Sequence, residues 1–110
     1  MKEQRFKDFI AQQIKSSPIE ARLVRKVIRG MKAADKPIVN VYDGEEHNKV
    51  RTEVEVMEQV FNLDECWLVT MEGSWVRVTL GNEWECLTDY TTDLDDVMDP
   101  IADFVDKHAA

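Results

Sequence analysis

The chain has 110 residues, 44% hydrophobic and 33% charged, with a formal net charge of −8. This length and composition predict a single globular domain, 1–110, and argue against a disordered or low-complexity chain. No apolar run reaches the roughly 18 residues of a membrane span, and the first residues lack the apolar segment of a secretory signal. We therefore expect a cytoplasmic protein with no membrane partner and with two free thiols.

Charge divides the domain into two parts. Residues 1–36 carry ten Lys or Arg against four acidic residues, which makes them basic with a net charge of +6. Residues 37–110 carry four Lys or Arg against eighteen acidic residues, which makes them acidic with a net charge of −14. This asymmetry points to a binding partner, or to two parts of the chain that face each other.

Two helices are predicted in the basic part. Residues 2–15 form the first, because Phe6, Phe9, Ile10 and Ile14 recur at helical spacing on one face. The second follows after a short break, so the two helices are expected to form an αα-hairpin.

The second helix has a clear start signal and two stripes. Ser17 is the expected N-cap, Pro18 takes the first helical position and Glu20 the third. The helix should run to about Ala34. Its expected buried stripe is Ile19, Leu23, Val24, Val27, Ile28 and Met31. The neighbouring basic stripe is Arg22, Arg25, Lys26, Arg29 and Lys32.

The middle of the chain is partly ambiguous. Ile38–Tyr42 is β-branched and aromatic and predicts a strand, and 43–48 predicts an exposed loop. Residues 50–61 fit a helical face that ends near Asn62, while the alternation over 52–56 also fits a strand. We prefer the helix. Its expected face is Val50, Val54, Met57, Val60 and Phe61.

Residues 66–87 predict three strands joined by two turns. A two-residue loop at Glu72-Gly73 sets Val69 opposite Val76. A three-residue loop over 81–83 is preferred for the second turn, because a two-residue loop would point two glutamates into the apolar face. The expected core face is Trp67, Val69, Met71, Val76, Val78, Leu80, Trp84 and Cys86. The expected second face is Cys66, Leu68, Thr70, Trp75, Arg77, Thr79, Glu85 and Leu87.

A last helix is predicted to begin at Thr91 or Thr92. Pro100 lies inside its pattern, and the apolar face stays in phase across it, which favours a kinked or nearly continuous helix. The residues expected to pack against the sheet are Leu94, Val97, Met98, Ile101 and Phe104. The expected acidic surface is Asp95, Asp96, Asp99, Asp103 and Asp106.

These elements predict an α+β fold. An N-terminal αα-hairpin leads into a small, mainly antiparallel sheet of about four strands. A middle helix and the acidic C-terminal helix pack on that sheet, and helices on both of its faces would explain why the second face is mixed.

The candidate catalytic and metal-binding groups are sparse. His47 lies near Asp43, Glu45 and Glu46, which we interpret as a solvated acidic loop rather than a metal site. The two cysteines are expected on opposite sheet faces as buried free thiols. Phosphate-binding and hydrolase motifs are absent from the sequence, so we expect no catalytic residues, no metal and no cofactor. The alternative is an enzyme whose site is scattered in the sequence and forms a deep pocket around His47 or a cysteine.

Three surfaces are candidate partner sites. The basic stripe has the charge to follow nucleic-acid phosphates, to form a solvated face, or to meet the acidic last helix of the same chain. The acidic surface has the charge to imitate nucleic acid or to stay solvated. Trp75 marks an interface unless the N-terminal hairpin covers it.

We therefore hypothesise a small non-enzymatic binding or regulatory protein, of bacterial or mobile-element type, that binds a protein partner or itself. Its tentative partner-binding residues are the basic stripe and Trp75. One alternative is a nucleic-acid-binding protein that uses residues 2–36. The other is an acidic inhibitor that mimics nucleic acid.

Overall fold

The computed structural model describes residues 2–109, with side chains described from Lys7 onward. Within that range, four helices and a five-stranded antiparallel sheet confirm the predicted α+β fold. The side chain of Phe6, which was predicted to face the core, lies outside the described residues. The helices are α1 (Lys2–Ser16), α2 (Pro18–Ala33), α3 (Glu53–Asn62) and α4 (Asp95–His108). The strands are β1 (Ile38–Tyr42), β2 (His47–Lys49), β3 (Glu65–Thr70), β4 (Trp75–Thr79) and β5 (Leu87–Tyr90).

The sheet has one strand more than the sequence indicated. Its order is β2-β1-β3-β4-β5, so β2 and β5 are the edge strands. β2 overlaps the end of the predicted exposed loop, 43–48, and was not predicted because its side chains are polar and give no strand signal. The turn before it is held by the Asp43 carboxylate, which accepts hydrogen bonds from the amides of Glu45 and Glu46 at 2.8 Å each.

The molecule has two layers, and the helices pack on one face of the sheet. Its extents are 42 × 34 × 23 Å, and the shortest is close to the thickness of one helix layer on one sheet. Strand residues Val41, Leu68, Val76 and Val78 are fully buried in one core cluster with side chains from all four helices. Of the two alternatives that the sequence left open, the structure therefore shows helices on one face of the sheet and not on both.

The N-terminus of α2 begins where predicted, but its capping differs. The Ser17 hydroxyl makes no capping hydrogen bond. Glu20, which is only 5% exposed, reaches across the chain and accepts a 2.8 Å hydrogen bond from the amide of Gly81. Gly81 has φ +116°, a conformation that favours glycine, so Glu20 secures a tight turn beyond β4.

The ambiguity over residues 50–61 is resolved as a helix. The Thr52 hydroxyl caps α3 by accepting a hydrogen bond from the Glu55 amide at 3.1 Å. Val50 lies just before the helix, and its amide donates to Val39 of β1 at 3.1 Å. Two side chains predicted for apolar helix faces point to solvent instead, because Phe9 is 56% and Val54 is 64% exposed.

The last helix is continuous through Pro100, as the in-phase apolar face predicted. A 3-10 turn over Thr92–Leu94 precedes it. Leu94, Val97, Met98 and Ile101 are buried in the core, and Phe104 is partly buried against it.

The predicted register of the β3–β4 hairpin was wrong by one residue. The connection holds three residues, 71–73, because the Thr70 amide bonds to the Ser74 carbonyl at 2.8 Å and Leu68 lies opposite Val76. Gly73 takes φ +92°, as a three-residue hairpin loop requires. The slip turns β3 over, so that Cys66, Leu68 and Thr70 face the core while Trp67 and Val69 lie on the other face. Val69 is only 9% exposed there. Met71 is 81% exposed in the turn.

The second turn also differs from the prediction. Residues Glu83–Glu85 form a 3-10 turn rather than the beginning of a strand, and β5 starts at Leu87. Leu80 and Trp84 still pack partly against the core, and Cys86 is fully buried. Cys66 and Cys86 therefore belong to one core cluster and do not lie on opposite faces.

Candidate partner-binding face

One face of the sheet is left uncovered by the helices. Its side chains alternate along each strand with those of the core, and we call it the open face. The open face consists of Asn40, Tyr42, His47, Lys49, Glu65, Trp67, Val69, Trp75, Arg77, Thr79, Thr88 and Asp89. No helix residue of the described chain contributes to it, so its large side chains are available to a partner.

A single row of side chains crosses all five strands of the open face. We call it the central row, and it runs His47, Tyr42, Trp67, Arg77, Asp89. Each residue lies directly opposite the next in the strand pairing, so their side chains are neighbours on the same surface. Three aromatic rings and a guanidinium thus form a continuous band.

The rings of the central row are in contact. The Tyr42 ring centroid lies 4.5 Å from that of His47 and 5.5 Å from that of Trp67. On its other side, Trp67 has the Arg77 guanidinium carbon at 5.8 Å from its ring centroid. His47 is oriented by a 2.7 Å hydrogen bond between its Nδ1 and the side-chain oxygen of Asn40. These contacts pack the side chains of the row against one another.

The Arg77 side chain is held in place by an ion pair, but one of its N–H groups has no hydrogen-bond partner in the described part of the chain. Its guanidinium pairs with Glu65, its neighbour on the open face. Its Nε–H is buried and is the one buried side-chain N or O atom without a hydrogen-bond partner among the described residues. The Arg77 side chain as a whole is 38% exposed beside Trp67, so its planar guanidinium is a group that a partner can stack upon.

Trp75 also belongs to the open face. It pairs with Val69 across β3 and β4, and it is half-buried. Its backbone is secured by Thr91, whose hydroxyl accepts from the Trp75 amide at 3.1 Å and whose amide donates to the Trp75 carbonyl at 3.0 Å. The predicted N-terminal hairpin does not cover it, because α1 and α2 lie on the other side of the sheet.

The basic stripe of α2 divides between two neighbouring helices. Arg29 forms two hydrogen bonds to the Glu53 carboxylate of α3, at 2.9 and 3.0 Å, and this contact lowers the pKa of Glu53. Arg25 and Lys32 lower that pKa further through their charge. On the other flank, Arg22 and Lys26 lie over the Phe104 ring of α4, at 4.6 and 4.2 Å from its centroid. Much of the stripe is thus in contact with its own chain.

The acidic surface of α4 faces solvent. Asp95, Asp96, Asp99, Asp103 and Asp106 are all exposed. Among the residues from Lys7 to Ala109, no ion pair joins them to a cation of the basic stripe. The basic helix therefore meets the acidic helix through the ring of Phe104 rather than through its aspartates.

Neither metal-binding nor thiol groups converge on the open face. The described residues contain no group of three or more His, Cys, Asp or Glu placed to hold a metal ion. Burial raises the pKa of Cys66 to about 12, with a smaller contribution from the charge of Glu65. Burial likewise raises the pKa of Cys86 to about 12, with Glu20 adding to it. No helix of the described chain is long and apolar enough to cross a membrane.

Sequence reasoning missed most of this face. It identified Trp75 but assigned Trp67 to the core and placed His47 in a loop. The available signal was Gly73 itself. A glycine fits the last position of a three-residue hairpin loop, 71–73, as readily as the last position of a two-residue loop, 72–73. Choosing that loop would have put Trp67, Trp75 and Arg77 on one surface.

Comparisons of the chain with protein-family models, with curated proteins and with solved structures find no match.

Proposed function

We propose that this protein is a small non-enzymatic binding protein that recognises a protein partner through the open face of its sheet. It acts in the cytoplasm, where its buried thiols stay reduced. The observation that carries the proposal is the central row, an ordered band of aromatic and arginine side chains that no helix covers. Binding of a protein partner is the hypothesis that the sequence already suggested. Of the partner-binding residues suggested there, Trp75 belongs to the proposed surface and the basic stripe of α2 does not.

The composition of the central row supports a protein partner. Tyrosine, tryptophan and arginine are the residues most enriched at the energetic centres of protein interfaces. They combine large contact area with few rotatable bonds, and each keeps a polar group for hydrogen bonding. Tyr42, Trp67 and Arg77 are adjacent, and the first two are half-buried against each other before binding, so little side-chain entropy is lost on association.

Charge supports a protein partner over nucleic acid at this surface. The open face carries Lys49 and Arg77 against Glu65 and Asp89, so its formal charges cancel. A nucleic-acid platform with stacking aromatics needs a surplus of cations to hold the phosphate backbone. The whole chain, at −8, adds repulsion rather than attraction.

The proposal is tested by replacing the two tryptophans of the open face. Trp67→Ala with Trp75→Ala removes the largest contact area. We expect the yield of partner proteins that are chemically cross-linked to the variant in the native cell to fall by at least about tenfold. A matched control replaces exposed apolar residues of the helical layer, Phe9→Ala with Val54→Ala. Circular dichroism and thermal unfolding establish that both variants fold.

The control must retain the cross-linked partners for the assignment to hold. If the tryptophan variant is folded and keeps the same partners at the same yield, the open face is not the binding surface. Loss of partners in the Phe9 and Val54 control alone would place the binding surface on the helices instead.

A further inference from the structure

We propose that the occupant of the open face is a second copy of this chain, bound face to face about a two-fold axis that runs along β3. This inference rests on the proposed function, because it names the partner of the same surface. The axis places β3 over β3, β1 over β4, and β2 over β5, since β3 is the middle strand of five. Two sheets that pack in this way keep their strands nearly aligned.

Charge at the two edges of the open face is complementary. The β2 edge contributes His47 and Lys49, and the β5 edge contributes Asp89. A two-fold axis along β3 preserves the position along the strands, so it sets His47 of one copy opposite Asp89 of the other. Lys49 lies two residues from His47, about 7 Å along the strand, and its long side chain reaches the same carboxylate.

Each of these contacts occurs twice. A two-fold interface uses the same patch on both copies, so the pairing of the β2 edge with the β5 edge is repeated at both ends. The acidic turn over residues 43–46 precedes β2, and Lys49 lies at the end of β2 that is further from this turn. Lys49 is therefore the clearest group with which to test the pairing.

The centre of the face is complementary in the same alignment. Placing β1 over β4 sets Tyr42 of one copy opposite Arg77 of the other, because both belong to the central row. The exposed part of the Arg77 guanidinium group of one copy then lies against the Tyr42 ring of the other. Trp67 lies on the axis and faces its own counterpart.

The area of the face indicates a weak, reversible interface. Five strands about 4.8 Å apart, with about five residues of 3.4 Å each, give a surface on the order of 400 Å² per copy. That is below the ~800 Å² per partner of a standard stable interface. We therefore expect a reversible dimer with a Kd on the order of 10–100 µM at neutral pH.

Sedimentation velocity on the full chain tests the dimer directly. A series from about 5 µM to about 1 mM at physiological salt should show the mass rising from monomer towards dimer. Lys49→Glu and Asp89→Lys each place like charges together at both ends of the interface, so each variant alone should raise Kd by about tenfold. Thermal unfolding checks that the variants fold.

Mixing the two variants gives the decisive result. In a mixed dimer, Glu at position 49 meets Lys at position 89, and the native Lys49 meets the native Asp89, so attraction returns at both ends. We expect the mixture, and also the double variant in one chain, to regain the wild-type Kd. The matched controls are Lys107→Glu and Asp103→Lys on α4, each alone and then combined, which make the same charge changes on the helical side and should leave Kd unchanged.

The outcomes separate this inference from the proposed function. A wild type that stays monomeric to about 1 mM overturns the dimer, as does a mixture that associates no better than its components. If cross-linked partners still depend on Trp67 and Trp75 in that case, the open face binds a different protein and the proposed function stands. If neither the mass nor the cross-links depend on the open face, both proposals fail.

Discussion

Trp67 lies on the open face because the turn that follows its strand holds three residues instead of two. Side chains of a strand alternate between faces, so one extra residue in the turn exchanges the two sets completely. Gly73, at φ +92°, accommodates the extra residue without strain. The exchange buries the smaller Cys66 and Leu68 under the helices and leaves the indole on the uncovered surface.

The two cysteines provide a prediction at the residue scale. Burial raises the pKa of both thiols to about 12 in the folded protein, whereas an unfolded thiol ionises near pH 8.5–9. Between pH 9 and pH 12 the unfolded chain thus binds fewer protons than the folded chain, and stability falls as pH rises. The slope is about 1.4 kcal/mol per pH unit for each thiol.

Urea unfolding between pH 8 and pH 11 measures this slope. Cys66→Ala with Cys86→Ala lowers stability by a constant amount but should remove the thiol contribution to the slope, while lysines and tyrosines titrate equally in both proteins. Identical slopes for the variant and the wild type would show that the thiols ionise normally in the folded state. Native thiols should also resist alkylation at pH 8 and react fully in denaturant.

At the element scale, α2 is the central helix of the helical layer. It contacts α1, α3 and α4 as well as β1. Five of the six residues of its predicted buried stripe are buried, and Ile19 is partly buried. Each of its two polar flanks contacts a different neighbouring helix. On one flank Arg29 bonds to Glu53 of α3, and on the other Lys26 lies above the ring of Phe104 of α4. The helix therefore connects the layer through its charges as well as through its apolar residues.

Gly30 is where α2 and α4 approach closely, and it provides a prediction for the pair of helices. A Cβ at this position would lie 3.1 Å from Cγ1 of Val97. In Gly30→Ala, the gain in helix propensity of about 1 kcal/mol should be offset by this contact, so the free energy of unfolding should change little. In a Val97→Ala background the obstacle is absent, and the same change should stabilise the protein by about 1 kcal/mol.

A double-mutant cycle in urea compares the two backgrounds. An interaction free energy of about 1 kcal/mol between the positions is expected. Equal effects of Gly30→Ala with and without Val97 would mean that the glycine is not required for helix packing.

At the scale of the whole molecule, the two large surfaces differ in what they offer. The helical layer carries the basic stripe and the acidic surface of α4, whereas the open face is near neutral and aromatic. The net charge of −8 surrounds both with a field that repels phosphates. Binding to nucleic acid through residues 2–36 would have to overcome this field with cations that already contact Glu53 and Phe104.

We therefore expect no gel shift of DNA or RNA by the full chain, even at low salt where such binding is strongest. The matched variant is Arg22→Gln with Arg25→Gln and Arg29→Gln, which should behave like the wild type. A salt-sensitive shift of the wild type that this variant loses would instead establish the nucleic-acid alternative. The same variant should leave the dimer mass unchanged, because its substitutions lie on the helical side.

Much of the architecture was predictable from local patterns. The bounds of β1, the start of α2 and the continuous helix through Pro100 follow from β-branched runs, a proline at a first helical position and an apolar face that keeps its phase. For α3, Thr52 followed three residues later by Glu55 is a capping-box signal that outweighs the short alternation around it. β2 had no such signal, since His47, Asn48 and Lys49 become a strand only by pairing with β1.

The candidate binding surface was predictable only in part. Trp75 was identified, but its neighbours Tyr42, Trp67 and Arg77 come from three different strands, and their proximity depends on strand order and register. The basic stripe was identified fully as a set of residues, yet its contacts with α3 and α4 depend on how the helices pack. Sequence periodicity specifies which side chains share a face of one element, but not which face of a neighbouring element they meet.

The sequence by itself thus determined the α+β class, the helical faces, most element bounds and the division of charge, because these depend on interactions between residues close in the chain. The tertiary structure alone decided which sheet face the helices cover and therefore which aromatic residues remain uncovered. The physical reason is that the buried face of the sheet depends on whether the β3–β4 loop has two or three residues, and on the apolar area that each alternative buries over the whole sheet. A local pattern contains neither quantity, because both alternating faces of β3 and β4 contain apolar residues.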